Sequence, residues 1–444
     1  MDLSTGEDSV ENYSHHEKVF ININCKPKLR SILIMQKKLL SLAIASALAL
    51  PGAAMADIKN VEVYGKFHAS WDYVDNDATG DDTDDNTGAF RNSRLGFKGE
   101  EKISGDLKGI WQIETELDTH DNGMQFRNTF VGLKGDKWGT FLFGKHDTPY
   151  KMATANLDIF SDTIADYNNI IGAHIAPAKK AYTVEVVKDK DSGNNTRKDV
   201  QNNENGTPGS GANDGTVTSS FNKRAPQTVA YLTPDFSGFQ AAIARVSFQN
   251  DEMVAAHDNK EAWSAMAKFD KKDNPFFASL AYELYKGGIQ SPPGDVTENL
   301  DAWKIGLGYK IGNSKIGFIY EDIEQDGTGE DAKRASRDAF GLNFSHDFGM
   351  NTVKVAYLKA NDSDVAGSDD GADNWSIGLD HNFSKRTKIY GIYTRMENDS
   401  NANYGLYNGQ ASAGGSFYTG GAKGTGNTAG RDISAISFGI VHSF

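Results

Sequence analysis

From Val61 onward the chain alternates, residue by residue, between apolar and polar side chains, and the polar positions carry full charges in the middle of the runs. In the first run Val61, Val63, Gly65, Phe67, Ala69, Trp71 and Tyr73 share one face, and Glu62, Tyr64, Lys66, His68, Ser70 and Asp72 share the other. The same period recurs at Leu107, Gly109, Trp111 and Ile113, at Trp303 to Tyr309, at Ile316 to Tyr320 and at Trp375 to Leu379. A period of two is that of a β-strand with two unlike faces. A packed interior would not accept unpaired charges at mid-strand, so the polar face must look onto water. The runs are about ten residues long, the length a tilted strand needs to cross a hydrocarbon layer. The expected fold is all-β: a transmembrane antiparallel β-barrel.

Composition agrees. Hydrophobic residues make up 38% of the chain, and no run of eighteen apolar residues occurs outside the N-terminal region, which excludes helical membrane spans there. A barrel remains compatible, because only alternate residues face lipid. Turn chemistry predicts two unequal ends. Short links at Gly135-Asp136-Lys137, Asp270 to Asn274, Ile311 to Ser314 and Phe348 to Asn351 alternate with long polar segments at 74–89, 286–298, 325–335, 361–373 and 398–430. Candidate strands centre near 65, 95, 112, 130, 142, 229, 243, 265, 280, 305, 319, 342, 355, 378, 391 and 438, about sixteen in all. An even count puts both barrel ends on the periplasmic side. The last strand reads Ile436, Phe438, Ile440, His442 and Phe444, the usual close of an outer-membrane barrel. Residues 147–223 interrupt the pattern. Their first part, 147–171, is compact in composition and is expected to pack into the barrel. The stretch 172–223, rich in Asn, Gly, Asp and Ser, is expected to be an exposed, mobile insertion or extended loop.

The N-terminal region reads as an export signal at 35–56. Met35 is followed by Lys37 and Lys38, by the apolar stretch Leu39 to Leu50, and by Ala54-Met55-Ala56, so cleavage is expected after Ala56. Residues 1–34 precede a complete signal and are read as an upstream mis-start or an extension. Cys25, the only cysteine, lies before that signal, so a mature chain would hold no disulfide or thiolate chemistry. The net charge of −14 argues against nucleic-acid binding. The acidic run Asp75 to Asp85 lacks the spacing and terminal Glu of a calcium loop and reads as a solvated surface loop. The histidines are scattered, and no phosphate loop or metalloprotease motif occurs, so neither cofactor, metal nor catalytic residue is expected. His442 continues the apolar face of the last strand. The six tryptophans suit an aromatic belt, with a sugar-stacking track inside the lumen as the alternative.

Val63-Tyr64-Gly65, Ser93 to Glu101, Trp111-Gln112-Ile113-Glu114, Phe130 to Gly135, Phe143 to Tyr150 and Val441-His442-Ser443-Phe444 occur in this order, and together they make 57–444 resemble the general diffusion porins of proteobacterial outer membranes. The chain departs from the family pattern over 172–220 and at Leu142 and Lys145. The resemblance implies a sixteen-stranded barrel, a homotrimer and a third extracellular loop that folds inward and narrows the pore. That loop would present Asp158, Asp162 and Asp166, which share a face if the segment is helical. Arg94, Arg127 and Arg224 would form the basic wall opposite. Alternation itself turns Arg94 and Lys98 inward, because Leu95 and Phe97 occupy the other face, and turns Arg127 inward if Phe126 and Phe130 face lipid. Glu114 would be an acidic wall residue, and Phe444 would engage the barrel-assembly machinery. The partners implied are outer-membrane lipid and lipopolysaccharide and small hydrophilic solutes. Facing charges of opposite sign would make a transverse field at the waist.

Two other functions stay open at this level. A substrate-selective channel for sugars or organic anions is motivated by the 172–220 segment and the inward charges. An outer-membrane barrel hydrolase is allowed by scattered Ser, His and Asp residues, although no nucleophile has a placed base. Ion preference is also open. Bulk charge favours cations, but screening confines each charge to about 8–10 Å, so the waist decides.

Overall fold

The computed structural model describes residues 61–76, 85–117, 124–175, 182–188, 195–201, 217–219, 221–247, 261–286, 299–327, 333, 335–407, 417–418 and 430–444. The export signal, residues 1–34 and most of the run Asp75 to Asp85 lie outside them.

One antiparallel sheet closes on itself. Its eighteen ladder pieces make sixteen strands, because two strands are each interrupted once. In chain order they are β1 (Val61–Asn76), β2 (Asp85–Phe90 and Arg94–Ser104), β3 (Leu107–Leu117), β4 (Met124–Phe126 and Thr129–Gly135), β5 (Gly139–Asp147), β6 (Arg224–Leu232), β7 (Phe239–Ser247), β8 (Glu261–Asp270), β9 (Phe276–Tyr285), β10 (Leu300–Ile311), β11 (Ser314–Gln325), β12 (Arg337–Phe348), β13 (Asn351–Ala360), β14 (Ala372–Asn382), β15 (Thr387–Asn398) and β16 (Ile433–Ser443). Each expected strand centre falls inside one of them. Every strand pairs with its sequence neighbours, and β1 closes the ring on β16, with Lys66 opposite Ser443 and Asn76 opposite Ile433. Phe444 completes the seam: Gly65 and Phe444 exchange backbone hydrogen bonds of 3.1 Å, and the Phe444 ring covers the space a Cβ at Gly65 would need.

The expected faces are present. Trp71, Trp375 and Phe438 are 49%, 51% and 57% exposed on the outer surface, whereas His68, Asp72, Ser376 and Ser437 on the alternate positions are buried. Outer aromatics pack in tilted pairs across strands, as in Tyr357 with Trp375 at 4.2 Å and Trp303 with Tyr320 at 5.3 Å between ring centres. Trp71, Trp263, Trp303 and Trp375 all belong to this outer surface, so they form no stacking track in the lumen. His442 is exposed there too. Turns differ at the two ends. Two-residue links join β10 to β11 and β12 to β13, and Gly312 and Gly349 take φ of 58° and 62°, a region that side chains with a Cβ rarely adopt.

The structure decides two conditional readings and adds a third local feature. Phe126 and Phe130 do not share a face. Thr115 pairs with Phe126 but Gln112 pairs with Phe130, so β4 carries one extra residue where its partner has none. That bulge reverses the alternation: Phe126 is exposed outside, while Phe130 packs with Leu142, Ala230 and Ala244 on the other side of the wall. The 147–171 segment is not one helix either. It has a single α-helical turn and a half, α1 (Pro149–Thr154), then short 3₁₀ turns at Ala155–Leu157 and Tyr167–Asn169. Finally, the stretch after Gly172 contains strand pairing. Ala173–Ile175 pairs with Val217–Ser219, and Tyr182–Lys188 pairs with Asn195–Gln201.

Candidate functional site

The site is built from the inner face of the wall and the segment between β5 and β6. Among the described residues, that segment contacts the wall through inner-face groups. At its start the Tyr150 amide donates to Ser264 Oγ of β8 (2.9 Å). Further along, Asn343 of β12 donates to the Leu157 carbonyl (2.8 Å), and Lys354 of β13 donates to the Ile159 carbonyl (3.1 Å). Phe160 fills the space above Gly378 of β14. The contacts thus run from β8 round to β14, and the next contact is on β1, where Asp162 pairs with Lys66. The wall from β2 to β6 receives few of these contacts.

The three carboxylates of the segment do different things. Asp158 accepts from the Phe160 amide (3.0 Å) and weakly from that of Tyr167 (3.4 Å), holding the turn between them. Asp166 caps the second 3₁₀ turn by accepting from the Asn168 amide (2.9 Å), and it also accepts from the Asp162 amide (2.8 Å). Asp162 sits at φ 63°, a left-handed conformation that Asp tolerates better than most residues. Its carboxylate forms an ion pair with Lys66 and lies 3.6 Å from Arg94 Nη2. Because 158–166 is a series of turns, the three acids do not line one face; only Asp162 meets the basic wall.

Their ionisation follows from this division. Burial opposes charge on Asp162, but Lys66, Arg94 and Arg127 hold its carboxyl well below the usual carboxylate range. Burial pushes Asp158 well above its ordinary value, helped by the neighbouring Asp166 carboxylate. Burial raises Asp166 as well, against the stabilising Asn168 amide.

The basic residues are likewise unequal. Lys66 pairs in register with Arg94 across β1 and β2, which brings both cations to Asp162. Arg127 is buried and clamped: Nε meets Glu114 Oε1 at 2.7 Å, and Nη1 meets Glu116 Oε2 at 2.9 Å and Asn92 Oδ1 at 2.7 Å. A guanidinium forked between two carboxylates is strongly held and locally over-compensated. Glu114 also accepts from the Tyr64 hydroxyl (2.9 Å). Arg224 reaches Asp147 at 3.2 Å and Asn128 at 3.0 Å, and Lys151 of α1 reaches the same Asp147 at 3.2 Å. Lys145 has no ion pair among the described residues. Lys98 is apart from this group: it pairs with Glu62 at 3.0 Å, about 13 Å along the strand from Arg94.

Lys66, Glu116, Asp147 and Lys151 are not among the site residues expected from sequence. Two of them were visible there. Glu116 follows Glu114 at the same two-residue period, and Lys66 shares its strand face with His68 and Ser70. Asp147 and Lys151 depend on where α1 begins, which alternation does not specify. Among the described residues no group of side chains could hold a metal ion.

A family profile described as Gram-negative porin matches residues 42–402. The chain is 27% identical to outer membrane porin protein 32 of Delftia acidovorans over 92% of this chain and all of that relative. It is 24% identical to the outer membrane porin OmpD of Salmonella typhimurium strain SL1344, over 82% and 90% of the two chains. Among solved structures, the anion-selective porin from Comamonas acidovorans shares the fold with a TM-score of 0.64 at 22% identity, covering 86% of this chain and 99% of that one. The trimer form of OmpT from Vibrio cholerae does so with a TM-score of 0.54 at 14% identity, covering 86% and 99%. A closed sixteen-stranded barrel, an outer face of aromatics and aliphatics, an inner face of charges and this family match lead to one conclusion: the chain belongs to the Gram-negative porins, channel-forming barrels of the outer membrane.

Proposed function

We propose that 147–171 is the constriction loop of this porin, and that the waist it leaves against β1 to β6 passes small hydrophilic solutes and ions down their gradients with a preference for anions. The observation that carries this reading is the balance of charge on the uncovered wall. Lys66, Arg94, Arg127, Lys145 and Arg224 of the wall, with Lys151 of α1, outnumber Glu114, Glu116 and Asp147 of the wall with Asp162 of the loop, and Lys145 has no paired carboxylate among the described residues. The two remaining loop acids, Asp158 and Asp166, spend their oxygens on the loop's own amides. The waist responds to these groups, not to the whole-chain charge of −14, because salt water screens charges beyond about 8 Å. The geometry calls for no chemistry on the solute. In this reading the chain is exported by a signal cleaved after Ala56, inserted through its Phe444 strand, surrounded by lipid and lipopolysaccharide, and assembled as a homotrimer.

The test is single-channel current from detergent-purified protein in a planar bilayer with a salt gradient. Steps in groups of three and a reversal potential on the chloride side are expected. Folded protein without conductance would overturn the channel, and a reversal potential on the cation side would overturn the anion preference.

A further inference from the structure

The chain enters the β5–β6 excursion, leaves its first part and returns to the barrel at one buried cluster. Glu321 of β11 is fully buried on the inner face. Its Oε2 accepts from the Tyr150 hydroxyl at 2.8 Å, and its Oε1 accepts from the Gly172 amide at 2.6 Å. Arg337 of β12 lies 3.6 Å from the same carboxylate and donates to the Ile170 carbonyl at 2.6 Å. Lys304 of β10 sits 4.0 Å from the centre of the Tyr150 ring and donates to Asn222 Oδ1. Asn222 in turn donates to the Ile171 carbonyl at 3.1 Å, and the Phe221 amide donates to the Gly172 carbonyl at 3.1 Å. Gly172, at φ 85°, approaches Asn222 so closely that a Cβ would lie 2.9 Å from its amide nitrogen. The pairing of Ala173–Ile175 with Val217–Ser219 starts from the same junction.

We infer that Glu321 is a positioning residue of the channel: by tying Tyr150 to Gly172 it holds the two ends of the 150–172 segment together and so sets the width and steadiness of the waist. The inference rests on the porin reading above. Its physical basis is that the segment joins no strand of the barrel wall: Phe160, Ile164 and Ile171 pack against the wall without fixing a register, and the side-chain bonds at the two ends set where the segment sits. Removing one of those bonds frees that end to shift while the apolar middle stays packed. Glu321 is also the only carboxylate whose two oxygens reach both ends of the segment among the described residues.

The test compares wild type with Glu321→Gln and Tyr150→Phe. The amide of Glu321→Gln can accept from one donor, but its NH2 then faces the other. Tyr150→Phe removes one bond without changing any charge, so it remains informative if removal of the buried carboxylate prevents folding. Each protein is checked for the folded, heat-modifiable barrel, then studied by single-channel recording and by swelling of liposomes in sugars of increasing size. The expected result is a severalfold rise in open-channel current noise and faster entry of the larger sugars relative to the small ones, with barrel stability in detergent unchanged for Tyr150→Phe. Folded variants with wild-type noise and wild-type size cut-off would overturn the inference. Absence of current from folded wild type would instead overturn the porin reading.

Discussion

Replacement of Asp162 by Asn is the sharpest test of the waist, because it removes one charge and keeps the shape. Asp162 is the loop carboxylate in contact with Lys66 and Arg94. An ion passing about 5 Å from that carboxylate in water feels roughly 0.8 kcal/mol from it. Screening over a Debye length of about 8 Å reduces this to about 0.4 kcal/mol, a factor of about two in local ion concentration. Removing the charge raises the anion by that factor and lowers the cation by it, so the anion-to-cation permeability ratio should rise about fourfold. The assay is the reversal potential across a bilayer with a salt gradient, kept at or below about 0.15 M so that screening does not erase the effect. The potential should move towards that of chloride while single-channel conductance changes less. A reversal potential that stays in place, or moves towards the cation, would show that Asp162 does not face the ion path.

Asp158→Asn serves as the contrast: its oxygens serve the Phe160 and Tyr167 amides, so selectivity should barely move while the current becomes noisier, and an effect as large as that of Asp162→Asn would mean that the loop presents another face. Acidity should separate the same groups. Asp158 and Asp166 are raised, so they take up protons first as pH falls, and their contribution to stability is lost as pH rises from the ordinary carboxylate value through the raised one. Asp162 is depressed, so its ion pair stabilises above the ordinary value and is lost only as pH falls through its lowered one. Current noise measured against pH should therefore show an early step that vanishes in Asp158→Asn with Asp166→Asn, while reversal potential stays level until Asp162 titrates; persistence of the early step in the double variant would refute the assignment. At the seam, Gly65→Ala places a Cβ 2.4 Å from the Phe444 ring and 2.7 Å from the Arg94 carbonyl. The second neighbour is backbone and yields little, so overpacking should cost about 1–3 kcal/mol, read as an earlier urea midpoint of the folded band on gels; an unchanged midpoint would show that the seam relaxes freely.

The barrel was legible in the sequence because its signal repeats. Each strand must put alternate residues towards lipid and towards water, and a chain with Trp375, Ile377 and Leu379 outside and Ser376 and Asp380 inside states both faces locally. The inference failed where the repeat itself breaks. Between Phe126 and Thr129 an extra residue reverses the parity, and nothing in Phe126-Arg127-Asn128-Thr129-Phe130 announces it. Arg127 still points inward, but from the break in the strand and not from a shared face with two phenylalanines. Its clamp by Glu114 and Glu116 supplies a physical reason for the bulge: the guanidinium reaches both carboxylates from a position between the two ladder pieces.

The waist was less legible for a related reason. Spacing of four residues made Asp158, Asp162 and Asp166 look equivalent, whereas turns give each carboxylate its own geometry. Asp166 accepts the Asp162 amide and thereby supports the left-handed backbone that aims the Asp162 side chain at Lys66. One acid meets the wall cations because another holds it there. The same distinction separates whole-chain charge from local charge. Asp136 and Asp273, exposed on short turns at the ends of strands, contribute to −14, while the inner wall gathers Lys66, Arg94, Lys145 and Arg224 through strand register. Register brings Lys66 opposite Arg94, Thr129 opposite Lys145, and Asp147 opposite Arg224, so charges far apart in sequence meet within one belt of the wall. In the proposed reading selectivity is a property of pairing between strands, and a sequence read one strand at a time shows the charges but not their sum.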